Sequence, residues 1–180
     1  MNGKKLDNSI GLIIFILGLL VFGGVSLEAA ITVKVTGQIA NSPSLIFDGK
    51  MVPDKTSWDS DTCVSWEIAS VQFLFDLGAV LDIKDIVVQL DTNDGYYIDY
   101  SEDGKNFKNL LRKSSEDGDI REGMNTFSTI SGTPKYIDKM DFKPVKARYI
   151  MVYADPKDGD GCYSIAEFKY ITEATIKENK

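Results

Sequence analysis

Val71-Gln72-Phe73-Leu74-Phe75-Asp76-Leu77-Gly78 is the stretch that decides the fold. Val71, Phe73, Phe75 and Leu77 recur at every second residue, with Gln72 and Asp76 between them. That period puts the apolar side chains on one face of a β-strand. Asp76-Leu77-Gly78 is expected to end it. Ile86, Val88 and Leu90 repeat the pattern, as does Ile31-Thr32-Val33-Lys34-Val35-Thr36. Tyr96 to Tyr100, Ala147 to Tyr153 and Ser164 to Ile171 are further predicted strands, rich in β-branched and aromatic residues. Ala147–Tyr153 is apolar on both faces apart from Arg148 and suits a central strand. Arg148 is expected to pair with a carboxylate near the sheet surface. Asp94-Gly95, Asp103-Gly104, Asp117-Gly118 and Asp158-Gly159-Asp160-Gly161 supply turns between the strands. No long stretch carries helical periodicity. Residues 31–171 therefore read as one all-β domain, a sandwich or barrel.

The chain has 180 residues and a formal net charge of −7. This length fits one domain with appendages. An acidic chain without a Lys/Arg cluster is a poor match for phosphate backbones, so nucleic acid is not an expected partner. Anionic lipid is disfavoured for the same reason. There is no histidine. Ser-His-Asp and Cys-His catalysis and His-ligated metals are thereby excluded.

Lys4 and Lys5 precede an apolar run from Ile10 to Leu27. This reads as the charged and hydrophobic regions of an export signal. The run is also long enough to span a bilayer as a hydrophobic helix. Residues 1–30 are thus expected to be a signal peptide or an uncleaved membrane anchor. In both cases the lysines stay inside and the remainder is exported: secreted, periplasmic or at the cell surface. Residues 172–180 form a polar tail that is expected to fray.

Five motifs follow one another in a fixed order: Asp48-Gly49 with Asp54, Thr56 and Trp58; Phe73 to Gly78; Tyr97-Ile98-Asp99-Tyr100-Ser101-Glu102-Asp103-Gly104; Ala147-Arg148-Tyr149-Ile150; and Ser164-Ile165-Ala166-Glu167-Phe168. Together they resemble the discoidin, or coagulation-factor type C, domains over about residues 44–171. The first loop is longer than usual in that family, and Phe107 stands where a Trp is common. The resemblance implies a jelly-roll-like antiparallel β-sandwich of the galactose-binding-like type. It further implies a non-catalytic binding module. In many such modules the first loop and the closing Glu hold a structural Ca²⁺, which here would fall to Asp48, Asp54, Thr56 and Glu167. Carboxylates and a Thr hydroxyl are suitable hard-oxygen ligands. The stretch Asp158 to Glu167 nearly matches an EF-hand loop, but Pro156 stands at its first position and its flanks read as strands. It is read as a loop at the sandwich rim.

The ligand face is expected in the loops at one end of the sheets. A sugar site needs an aromatic plate and a few polar groups. Trp66, Tyr96 and Tyr163 are the candidate plates; Asn93, Asp94 and Arg121 are candidate contacts, with Asp61 a further polar one. Trp58 is read as core, because the matching family position packs beside the first loop. Cys63 and Cys162 lie in loops of an exported chain and are a candidate disulfide. The expected partner is a carbohydrate or another surface polymer, in adhesion or capture. The alternatives are a structural or protein-interaction domain of the cell envelope that has lost sugar binding, and a carboxylate-dependent glycosidase. Cleavage of residues 1–29 or 1–30 is expected, and the intact mass of the exported protein measures it; a full-length mass indicates the anchor.

Overall fold

The computed structural model describes residues 12–14 and 31–173. Ten strands form two antiparallel sheets. The strands are β1 (Leu12–Ile14), β2 (Thr32–Thr36), β3 (Val64–Trp66), β4 (Gln72–Ile83), β5 (Asp85–Asp91), β6 (Tyr96–Ser101), β7 (Lys108–Lys113), β8 (Met124–Ser128), β9 (Val145–Ala154) and β10 (Tyr163–Ile171). One sheet runs β1-β2-β4-β9-β6-β7 and the other β3-β10-β5-β8. This is the expected all-β sandwich.

The opening stretch behaves as its period requires. Phe73, Phe75 and Leu77 are buried along β4, while Gln72 is exposed and Leu74 and Asp76 are half-buried. Phe75 stacks on Phe168 of the opposite sheet, with centroids 5.0 Å apart and planes 4° from parallel. Such aromatic contacts add to the area that face-to-face sheets already bury. Gly78 does not end β4. The register shifts between Asp76 and Leu81, and the strand runs on to Ile83 through this bulge. Gly78 sits at φ 78°, and its N–H donates to Asp76 Oδ1 at 2.8 Å. The bulge kinks the strand without terminating it. Arg148 forms the anticipated carboxylate pair: its Nε and Nη2 donate to Asp76 at 2.8 and 3.0 Å. β9 lies inside its sheet between β4 and β6, as its two-sided apolarity requires.

Three strands carry no alternating signal. β3 has three residues, all buried; β8 is Met124-Asn125-Thr126-Phe127-Ser128; β7 places Leu110 beside Leu111 and ends on a buried lysine. Of the run expected to be a signal or anchor helix, only Leu12–Ile14 are described, and they form a strand paired with the edge of β2. An edge strand presents unpaired N–H and C=O groups that any extended segment can meet. The rest of that run lies outside the described residues, as does the tail beyond Glu173. No helix among the described residues is long and apolar enough to cross a membrane.

The core includes buried charges. Lys113 is fully buried, and its Nζ donates to the carbonyls of Asp91, Thr92 and Asp94. It also lies 4.8 Å from the Phe127 ring centroid. Burial lowers its pKa to about 8. Burial raises Asp91 to about 6, Asp94 to about 7 and Glu167 to about 7.

Two outcomes follow for stability. The three raised carboxylates bind protons more strongly in the folded than in the unfolded chain. Their stabilisation is complete below the ordinary carboxylate range and is lost as pH rises through about 6 to 7. In chelator, thermal unfolding should therefore show a lower Tm at pH 7.5 than at pH 5, and Asp94→Asn should flatten the slope. Trp66→Ala, which removes a fully packed indole, should cost about 3–5 kcal/mol in denaturant unfolding.

Candidate functional site

A cleft of about 760 Å³ opens where loops from both sheets converge. Lys55, Ser57 and Trp58 of the first loop form one wall, and Asp119 to Gly123 the other. Asp91, Asn93 and Asp160 complete the lining.

The walls are pinned by backbone hydrogen bonds. Lys55 N–H donates to Met124 O at 2.9 Å, and Met124 N–H to Thr56 O at 2.8 Å. Gly123 makes that approach possible, because a Cβ there would lie 2.6 Å from Thr56 O. Thr92 N–H donates to Gly123 O at 3.1 Å, and Thr92 Oγ1 to Ile120 O at 3.2 Å. Lys55 sits at φ 69°, a left-handed conformation that costs a non-glycine residue about 1–3 kcal/mol.

Lys135 braces the wall from behind. Its Nζ donates to Asp54 Oδ2 at 2.7 Å, to both Asp119 oxygens at 2.9 and 3.0 Å, and to Asn125 Oδ1 at 3.0 Å. Asp119, in the cleft lining, is thereby neutralised. On the floor, Asn93 Nδ2 donates to Asp160 Oδ2 at 2.9 Å, and Cys162 N–H to Asp160 Oδ1 at 2.9 Å.

The expected plates are not on this surface. Trp66, Tyr96 and Tyr163 are 3%, 0% and 4% exposed. They pack on one another, Trp66 on Tyr163 at 5.8 Å and on Tyr96 at 6.3 Å between centroids. The Tyr96 hydroxyl donates to Ser164 O and accepts from Ser164 N–H, joining β6 to β10 across the sandwich. The three rings close the core beneath the loops, because each lies on the inward face of its strand. Asp94 is buried too: its Oδ1 accepts from Asp160 N–H at 3.1 Å. It shapes the floor and does not line the cleft. Asn93 and Arg121 do line it, whereas Asp61 is exposed but outside the lining.

Trp58, read from the sequence as core, is half-buried and is the aromatic residue of the lining. A signal for this was present: Ser57, Asp59, Ser60 and Asp61 surround it with no apolar partner at strand spacing.

The four oxygen ligands expected for calcium are not gathered as a set. Asp54 is held by Lys135. The Thr56 hydroxyl donates to Pro53 O at 2.7 Å, and its carbonyl accepts from Met124. Among the described residues, no three His, Cys, Asp or Glu side chains form a metal-binding group. Glu167 is different. It is 1% exposed, and its Oε2 has no hydrogen-bond partner among the described residues. Burial and the nearby Asp48 charge raise its pKa, while backbone N–H groups of Gly49 and Lys50 oppose the shift. An orphaned buried carboxylate facing a second carboxylate suits a cation. Glu167 offers that free oxygen with Asp48 nearby, although Asp48 also pairs with Lys50 at 3.6 Å; Asp54 is held more tightly, by Lys135 at 2.7 Å.

The cysteines are free. β3 and β10 run antiparallel with Tyr163 opposite Trp66 and Ile165 opposite Val64. Cys63 therefore falls beside Ala166, and Cys162 beside Glu67, about four residues away along the ladder. At roughly 3.3 Å per residue the separation is about 13 Å. A disulfide needs Cα atoms within about 7 Å. Cys63 instead packs with Met124 and Ala166.

The module CBM32-1 from a family 31 glycoside hydrolase of Clostridium perfringens is 16% identical over 78% of this chain and 94% of its own, with a TM-score of 0.49. The CBM32 of AlyQ, solved with 4,5-unsaturated mannuronic acid, is 15% identical over 77% of this chain and 92% of its own, at TM-score 0.49. A family 89 glycoside hydrolase of C. perfringens, solved with its substrate GlcNAc-alpha-1,4-galactose, is 22% identical over 83% of this chain and 15% of that enzyme, at TM-score 0.52. Likeness at this identity is likeness of fold. No curated protein matches the chain. A family model for the F5/8 type C domain matches residues 30–168, and the chain belongs to that family.

Proposed function

We propose that this protein is an exported, non-catalytic carbohydrate-binding module. The observation that carries the reading is the loop-built cleft with Trp58 on one wall and Asn93, Arg121 and Asp160 around it. An aromatic face takes the apolar side of a sugar ring, and amide and charged groups take its hydroxyls. Structural relatives that bind or cleave sugars support the same reading. Membership of the F5/8 type C family supports a binding role over hydrolysis. Asp94, raised to about 7, lies outside the lining. It cannot protonate a leaving group in the cleft. The apolar run after Lys4 and Lys5 supports export.

Calcium belongs to this proposal as a structural ion held by Glu167 and Asp48, the pair with the orphaned oxygen. When bound, it would supply positive charge between the two carboxylates and fasten the first loop to β10.

On a glycan array, Trp58→Ala should lose binding at least tenfold and keep the parent Tm within a few degrees. A blank array with folded parent protein would refute the proposal. For the ion, Ca²⁺ should raise the Tm measured in chelator, and Glu167→Gln should abolish that rise; an unchanged Tm in the parent removes calcium from the account.

A further inference from the structure

The cleft is chemically lopsided, and this bears on its ligand. Asp91 is 1% exposed, lines the cleft, and keeps its Oδ1 without a hydrogen-bond partner among the described residues. Asp160 is exposed in the same lining, with no ion-pair partner among the described residues. Its two oxygens are oriented by Asn93 Nδ2 and Cys162 N–H, each at 2.9 Å. The Asp160 charge is near enough to raise the pKa of Asp91, after burial the largest influence upward. Two carboxylates thus share one side of the cleft, and one has a desolvated, unused oxygen. A buried acceptor left unpaired costs about 1–3 kcal/mol, more when charged.

Among the described residues, no lysine or arginine side chain bonds to the Asp160 carboxylate or to Asp91 Oδ1. Lys135 is consumed by Asp54, Asp119 and Asn125. Lys113 lies on the inner side of the Asp91–Asp94 segment and donates to its carbonyls, not to the Asp91 carboxylate. Arg121 and Lys55 stand on the walls with Glu122 beside them. The same loops have already accepted two ammonium groups from the chain itself, through carbonyl, carboxylate and amide oxygens. A third, brought by a ligand, would meet the same chemistry.

We infer that the ligand is an amino sugar with a free, protonated amine, seated against Trp58 with its ammonium directed at Asp91 and Asp160. The inference rests on the carbohydrate-binding reading and narrows it. In the seat beside Asp91 and Asp160 a uronic acid would set carboxylate against carboxylate, which like-charge repulsion disfavours. An N-acetylated sugar carries no charge to neutralise the pair.

Calorimetric titration of the folded protein in chelator tests this with four probes: glucosamine oligomers, N-acetylglucosamine oligomers, a neutral galactose-containing oligosaccharide and a uronate oligomer. Glucosamine oligomers should bind at least tenfold more tightly than their acetylated counterparts, with affinity falling as salt is raised. Asp160→Asn should remove that preference, and Trp58→Ala should weaken the glucosamine oligomers as well. Equal or tighter binding of the acetylated, neutral or uronate probe overturns the amine and leaves the carbohydrate reading standing. Recovery of glucosamine binding only after adding Ca²⁺, in Glu167→Gln as well as in the parent, also overturns it, since a metal bridge in the cleft would then be the contact. Failure of all four probes, together with a blank array, defeats both readings.

Discussion

The cleft end of this molecule depends on one buried ammonium. Lys113 closes β7 with its Nζ inside the protein, bonded to the carbonyls of Asp91, Thr92 and Asp94. Carbonyls at the end of a sheet would otherwise be desolvated and unpaired. By collecting three of them, Lys113 fixes the connection between β5 and β6 that forms the cleft floor. That connection in turn holds Gly123 through Thr92, and the adjoining Met124 holds the first loop through Lys55 and Thr56. The wall that carries Trp58 is therefore positioned from the core outward.

This arrangement explains how a strongly acidic chain builds a cleft without collapsing the charge balance locally. Two lysines act as internal counter-ions, Lys113 beneath the floor and Lys135 behind the wall. Each sits where oxygen acceptors converge, as a metal cation would. Charge repulsion among the loop acids is offset inside the scaffold, and what is left over is directed into the cleft at Asp91 and Asp160. The aromatic cluster of Trp66, Tyr96 and Tyr163 has a complementary duty. It seals the sandwich under the loops, and through Tyr96 and Ser164 it ties the two sheets together.

The distinction between Trp58 and Trp66 shows where reading by residue type runs out. Both are tryptophans in the same loop region, and sugar plates and core plugs use the same side chain. What separates them is the face each one presents, and for Trp66 that face is set by pairing with Tyr163 in a three-residue strand. A strand so short has no period to detect. The cysteines illustrate the same point. Their positions near motif ends suggest proximity, but the antiparallel register of β3 and β10 sends them to opposite ends of the ladder.

By itself, the sequence determined the all-β class, the inward face of β4, the pairing of Arg148 with a carboxylate, the turns, and the absence of histidine chemistry. These follow from local spacing and composition, which do not require distant partners. It also carried the five ordered motifs of the family. Only the tertiary structure decided which aromatic residue faces the cleft, that Asp54 answers to Lys135, that Lys113 is buried, and that Cys63 and Cys162 stay apart. Each of those depends on segments far apart in the chain meeting at one end of the sandwich. Strand period cannot encode such meetings, because it specifies a residue's face and not the neighbour across from it.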